Sequence, residues 1–250
     1  MAVSGGPNIV EDGLVLTFDA GSRKSYPGSG TVWRDLLGST ISASLVSGST
    51  FNSSNLGNIA FDGIDDQVII ANSSSFNNTT SKTVELWIRA GNINGTFNAI
   101  MTNRNNSDSL TNFAFYLDDR QVVRTWNSSG TDQMVLIYAT SNGTTPYFTW
   151  SKESLGITNG DNAWHQIVGI TDIAQSRIEL YYDGQFKHST SIAGTISTPD
   201  TSLRIGSGYD VGTTQFPFAG NIASIKIYNR VLSALEILQN YNALRSRFNT

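Results

Sequence analysis

Short runs of strictly alternating apolar and polar residues recur along almost the whole chain, separated by clusters of Asn, Ser, Gly and Thr. No other feature restricts the fold as much. In residues 83–90, TVELWIRA, Val84, Leu86, Ile88 and Ala90 share one face and Glu85, Trp87 and Arg89 the other, which is the period of a half-buried strand. FAFYLDD likewise turns Phe113, Phe115 and Leu117 to one side, SRIELYYDG does so with Ile178, Leu180 and Tyr182, and QVVRTW sets Val122 and Trp126 either side of Arg124. Further candidates are GLVLTFDA, QVIIA, TFNAIMT, QMVLIYA, WHQIVGIT, TSLRIGS and GNIASIKIY. The intervening NSSSFNNTTS, NRNNSDS, NSSGTD and SNGTT carry side chains that bond to nearby backbone and so favour turns. Many short strands with no helix between them predict an all-β, two-sheet antiparallel sandwich rather than βαβ units.

A single short helix is expected at the C-terminal end, over 232–247. Ser233 and Glu236 have the S-x-x-E spacing of a capping box, and Leu235, Ile237 or Leu238, Tyr241 and Leu244 recur at helical spacing. Such a helix would lay its apolar stripe on the sandwich. It has only Arg245 and Arg247 near its end, too little basic surface to read DNA.

With 250 residues, 39% of them hydrophobic, the chain can build one sizeable core, assigned to a domain over 13–250. The preceding residues 1–12, MAVSGGPNIVED, are too few and too poor in apolar area to fold alone. They read as an attachment or trimerising arm, or else as a frayed terminus. Charged residues make up 14% and the net charge is -4, so no basic surface exists for nucleic acid or anionic lipid. No apolar run approaches the roughly 18 residues of a membrane span, and the first residues lack the basic and apolar regions of a signal peptide. Cysteine is absent and the histidines are two, His165 and His188, which argues against disulfides and a zinc site.

Two kinds of residue could carry a function. In FDGIDDQVII, residues 61–70, Asp62-Gly63 is a turn signal between short strands, while the adjacent carboxylates of Asp65 and Asp66 repel one another unless solvent, backbone N–H groups or a cation compensates. A solvated turn and a calcium site completed by backbone carbonyls both fit; no cofactor is required, and calcium is the one the residues allow. Loop aromatics are the second kind, since sugar recognition needs aromatic faces beside amides and carboxylates. Candidates are Tyr26 and Trp33 in SYPGSGTVW, Trp126 beside Asn127, Tyr147 and Trp150 in TTPYFTW, and Tyr209 with Asp210 in GSGYDVG. Each could equally belong to the core; only Tyr209, between Gly206, Gly208 and Gly212, has no core face nearby.

FDGIDDQV is similar to the F-D-G-x-D-D-Y-V motif of the concanavalin A-like lectin/glucanase superfamily in its laminin G-like jelly-roll branch, with Gln67 where an aromatic is usual. GLVLTFDAGSRKSYPGSGTVWRDL resembles the opening strand and loop of that branch, AWHQIVGITDIAQSRIELYYDGQ its D-G-Q hairpin, and FAGNIASIKIYNRVLSALEI its closing strand and helix. The resemblance implies a jelly roll. It also implies that an Asp could face a metal site after the isoleucine of the closing strand, where this chain has Ala223 and Ser224. The glucanases of the superfamily carry an E-x-D-x-x-E strand, which is missing here, and neither histidine lies near a nucleophile turn, so no catalytic residue is assigned.

PNIVEDGLVL, AGSRKSYPGSGT and LQNYNALRSRF further resemble virion structural proteins of tailed bacteriophages. That implies a non-enzymatic module on the virion surface, as head decoration or tail fibre. Its partners would be other virion proteins or further copies of itself, a homotrimer among them, and a cell-surface polysaccharide. A lectin domain of a secreted or bacterial surface protein, and a capsid cement that binds no sugar, are the competing classes.

Overall fold

The computed structural model describes residues 7–93, 96–104, 111–120, 133–139, 146–150, 163–208 and 216–249; within 133–139 and 146–150 the side chain described is that of Met134. Among the described residues sixteen strands, numbered in chain order, form two sheets, and every strand pairing is antiparallel. The first sheet runs β14 (Gln185–Ser191), β13 (Arg177–Tyr182), β12 (His165–Asp172), β7 (Lys82–Ala90), β16 (Ala219–Tyr228), β5 (Asn58–Asp62) and β4 (Thr50–Asn52). On β16, β1 (Leu14–Asp19) pairs alongside the C-terminal half and β5 alongside the N-terminal part. The second sheet runs β11 (Pro146–Trp150), β10 (Gln133–Ala139), β9 (Thr111–Asp118), β8 (Phe97–Arg104), β15 (Leu203–Ile205), β6 (Gln67–Ile70), β3 (Ser42–Val46) and β2 (Val32–Arg34).

The predicted inward residues meet between the sheets. Val84, Leu86, Ile88, Phe113, Phe115, Leu117, Ile178, Leu180 and Tyr182 belong to one buried cluster, as alternation on a pleated strand requires. A register shift between Ala99 and Met101 lets both Ile100 and Met101 join that core and leaves Phe97 and Ala99 on the outer face of the second sheet, with Ala114 and Tyr116.

Two expectations are corrected at the outer face of the first sheet. Strand β7 is buried on both faces, because helix α1 (Ala234–Phe248) lies across it: Trp87 stacks on Tyr241 at 5.7 Å and on Phe248 at 4.4 Å, and Glu85 is 1% exposed. The capping box of Ser233 and Glu236 is formed, and the predicted Ile237, Tyr241 and Leu244 face the sandwich, but Leu235 does not. Ile237, Asn240 and Phe248 are buried, with Tyr241 and Leu244 packed against them, a stripe at i, i+3, i+4, i+7 and i+11; Leu235 is 78% exposed.

Residues 8–12 are no free arm either. The Val10 backbone donates to Asn240 Oδ1 at 2.8 Å and accepts from the Tyr228 hydroxyl at 3.0 Å, Gln239 donates to the Asn8 carbonyl, and Asp12 pairs with Arg230 at 2.8 Å. Val10 itself is buried against Tyr228 and Ile237. One branched side chain suffices because sheet and helix supply the remaining apolar surface and the hydrogen-bond partners. Among the described residues no helix is long and apolar enough to cross a membrane.

Candidate functional site: a cleft beside the Asp62 turn

The turn at Asp62 crosses from one sheet to the other: β5 pairs with β16, β6 with β3 and β15. Asp62 Oδ1 accepts from the Ile64 N–H at 2.8 Å, and Asp66 Oδ2 accepts from the Asp62 N–H at 2.8 Å, so the two aspartates build the turn from its own side chains. Gly63 has φ +80 in a spot where a Cβ would come within 2.9 Å of Ala219, so glycine is required there.

Carboxylate oxygens of Asp62, Asp65 and Asp66 lie within 4.8 Å of one another. Asp66 is 5% exposed, and its Oδ1 is buried without a hydrogen-bond partner. That oxygen sits 2.9 Å from where a Cβ on Gly48 (φ +114) would stand, so only glycine allows the neighbouring turn to close over it. Burial pushes the Asp66 carboxyl above its ordinary range; the Asp62 N–H works against this, and the charges of Asp62 and Asp65 add to it. Three converging carboxylates, one holding a buried oxygen without a donor, are a donor set that fits a hard divalent cation.

Against this turn opens a cleft of about 500 Å³, bounded by the loop after β7, the first residues of β8, the segment just beyond β9 and the approach to β16. Its base is a layered stack. Phe97 lies on Tyr116 with ring centroids 4.5 Å apart and 13° between planes, and the guanidinium of Arg120 lies over the Phe97 ring at 4.2 Å. Asp118, on β9, fixes Arg120 through both carboxylate oxygens, at 2.8 Å to Nε and 2.9 Å to Nη2. Phe216 stands edge-on to Phe97 and Tyr116 with φ +53, a left-handed conformation that a bulky residue adopts only where its surroundings enforce it. Its carbonyl accepts from the Ala99 N–H at 2.7 Å. Asn92, Asn98 and Asp62 line the rest. Aromatic surface, amides, one guanidinium and one carboxylate therefore face a single cavity.

This is not the set of aromatics that the sequence suggested. Tyr26 is 3% exposed, stacked on Phe51 at 5.3 Å and bonded to the Gly30 carbonyl; Trp33 is fully buried, 5.5 Å from Phe18. Both are core residues, because β2 turns its middle side chain inward and SYPGSG folds back over the sandwich edge, and neither offers a face to a sugar. Tyr147 pairs opposite Tyr138 on β11, its side chain and that of Trp150 outside the described set, and Trp126, Tyr209 and Asp210 lie outside the described residues. Asp65 and Asp66 are placed beside the cleft, joined by Asp62. Phe97, Arg120 and Phe216 were missed: they are separated by 23 and 96 positions and share no local motif.

A family model described as the concanavalin A-like lectin/glucanases superfamily matches residues 62–238, and the chain belongs to this superfamily. No curated protein sequence matches it. Similar solved structures include the binding domain of Paraclostridial Mosquitocidal Protein 1 (TM-score 0.69, 16% identity, 92% of this chain and 52% of that one). The receptor binding domain of botulinum neurotoxin type G (0.65, 15%, 92% and 51%) is another, as is the binding domain of botulinum neurotoxin DC in complex with SialylT (0.66, 12%, 93% and 52%). The chain spans about half the length of these structures, and at such identities the likeness is one of fold.

Proposed function

We propose that the protein is a non-enzymatic, extracellular module that binds a glycan in the cleft beside the Asp62 turn, with Phe216 as the apolar platform. The observation that carries this is Phe216 itself, an aromatic residue held left-handed at the cleft wall among amides, a carboxylate and a pinned guanidinium. The fold it shares with toxin binding domains supports the reading. So does the use of the strand carboxylates: Glu85 is bonded to Lys226 and Asn240, and Glu179 to Arg177 and the Tyr181 hydroxyl. His165 is held by Asp183 at 2.8 Å and stacked on Tyr182. The finer placement on a virion surface, among other virion proteins or in a homotrimer, is supported by the resemblance of PNIVEDGLVL and LQNYNALRSRF to phage structural proteins.

In a screen of soluble oligosaccharides followed by titration, Phe216→Ala should weaken the hits about tenfold, the order of one stacking contact with its buried area, while melting stays near wild type. Equal affinity in Phe216→Ala would remove the cleft from the reading.

The same proposal takes calcium at Asp62, Asp65 and Asp66, supported by the orphan Oδ1 of Asp66. Excess calcium should raise the melting temperature by a few degrees through preferential binding to the native state, and Asp65→Asn/Asp66→Asn should lose that response. A wild-type melting curve indifferent to both calcium and chelator would leave a solvated turn.

A further inference from the structure

We infer that the cleft selects neutral oligosaccharides and rejects sialylated or uronic ones, an inference that rests on the glycan reading above. Charge placement carries it. Among the described residues lining the cleft, Arg120 is the one cation, and its charge is already offset: Asp118, with a side chain 0% exposed, holds its Nε and Nη2 in a two-point pair. Stacking over Phe97 holds the guanidinium plane in that orientation. A ligand carboxylate can still reach the end-on N–H groups of Nη1 and Nη2, but on a guanidinium whose charge the buried Asp118 already offsets, so the attraction it gains is reduced. What remains to a ligand are the two N–H groups of Nη1 and the second N–H of Nη2, donors that suit the hydroxyl or acetamido oxygens of an uncharged sugar.

Elsewhere the lining has the opposite sign. Asp62 lines the cleft, one of its oxygens occupied by the Ile64 N–H, and Asp65 and Asp66 lie within 4.8 Å of it. A carboxylate accepts from hydroxyl donors and repels another carboxylate, so hydroxyl-rich uncharged sugars satisfy this wall and acidic sugars do not. A divalent cation on the three aspartates would reduce the local negative charge without reversing it.

The test compares neutral oligosaccharides with the sialylated or glucuronylated counterpart of each, on the full chain, in chelator-containing buffer so that no metal bridges to a ligand. Neutral members should bind, with each acidic counterpart weaker by about tenfold, the order expected for one unscreened like-charge contact. The gap should narrow at high salt. Asp118→Asn, which removes the offsetting charge, should narrow it further, and the exposed Asp62→Asn should do the same should Asp118→Asn fail to fold. A wild-type preference for the acidic member of a pair overturns the charge selection and leaves the glycan reading standing. Absence of binding by every member, neutral and acidic, overturns both.

Discussion

Glu85→Ala is expected to cost about 3–5 kcal/mol of unfolding free energy, the usual penalty for removing one partner of a buried ion pair. Glu85 stands opposite Lys226 on β16, with Oε1 2.8 Å from Nζ, and the two side chains are 0% and 3% exposed. Its Oε2 accepts from Asn240 Nδ2 at 2.7 Å; Asn240 also donates to the Tyr228 hydroxyl, which holds the Val10 carbonyl. One carboxylate therefore ties together two strands, the helix and the N-terminal segment. Truncation leaves an ammonium in a dry site without a counter-charge and removes an acceptor from Asn240. Denaturant unfolding should show the loss at unchanged slope, with faster amide exchange in α1 and around Val10. Glu85→Leu/Lys226→Met should recover much of the loss, since apolar replacement of both partners removes the desolvation cost. A loss in Glu85→Ala below about 1 kcal/mol, the range of exposed pairs, would mean that water reaches the site.

The second large effect is a pH dependence seated at Lys82. This lysine is 2% exposed; its ammonium meets three oxygens, the carbonyls of Phe76 and Asn78 and Oδ1 of Asn112, at 2.6 to 3.0 Å, and among the described residues no carboxylate. Burial pulls its pKa from 10.5 down to about 7. Between these values the unfolded chain holds the proton and the folded one has shed it, so stability rises with pH through the window and is lowest below its lower edge. From about pH 7 to about pH 10 the gain would reach about 3 kcal/mol if burial acted alone. The three oxygens favour the ammonium and reduce that figure. Lys82→Met should flatten the rise whatever its absolute stability, because the titrating group is gone. A variant with the wild-type slope would assign the dependence elsewhere. Tyr181, pushed up to about 12 mainly by burial and then by Glu179, acts in the opposite sense, towards the alkaline end.

The strands that are eight or more residues long were legible because their signal is local. Alternation in TVELWIRA identifies both β7 and its inner face, and the spacing of Ser233 and Glu236 marks the helix start. Strands β2 and β4 have three residues each, too few to show a period, and they exist because a neighbouring strand offers them hydrogen bonds. The Asp62 turn was readable as a turn but not as a crossing between sheets, since a turn's residues do not name the partners of the strands it joins.

The sequence by itself determined the class of fold, the turns and the cap, since pleat, turn chemistry and capping depend on residues within four positions of one another. Tertiary structure alone decided which faces are covered and which groups meet. Glu85 and Trp87 read as a solvent face until a helix some 150 positions later settles on them, and Tyr26 and Trp33 read as loop aromatics until the sandwich closes around them. The cleft is the extreme case: Asp62, Phe97, Arg120 and Phe216 come together only when two sheets pack, so the charge and shape they present belong to the packing and not to any stretch of chain.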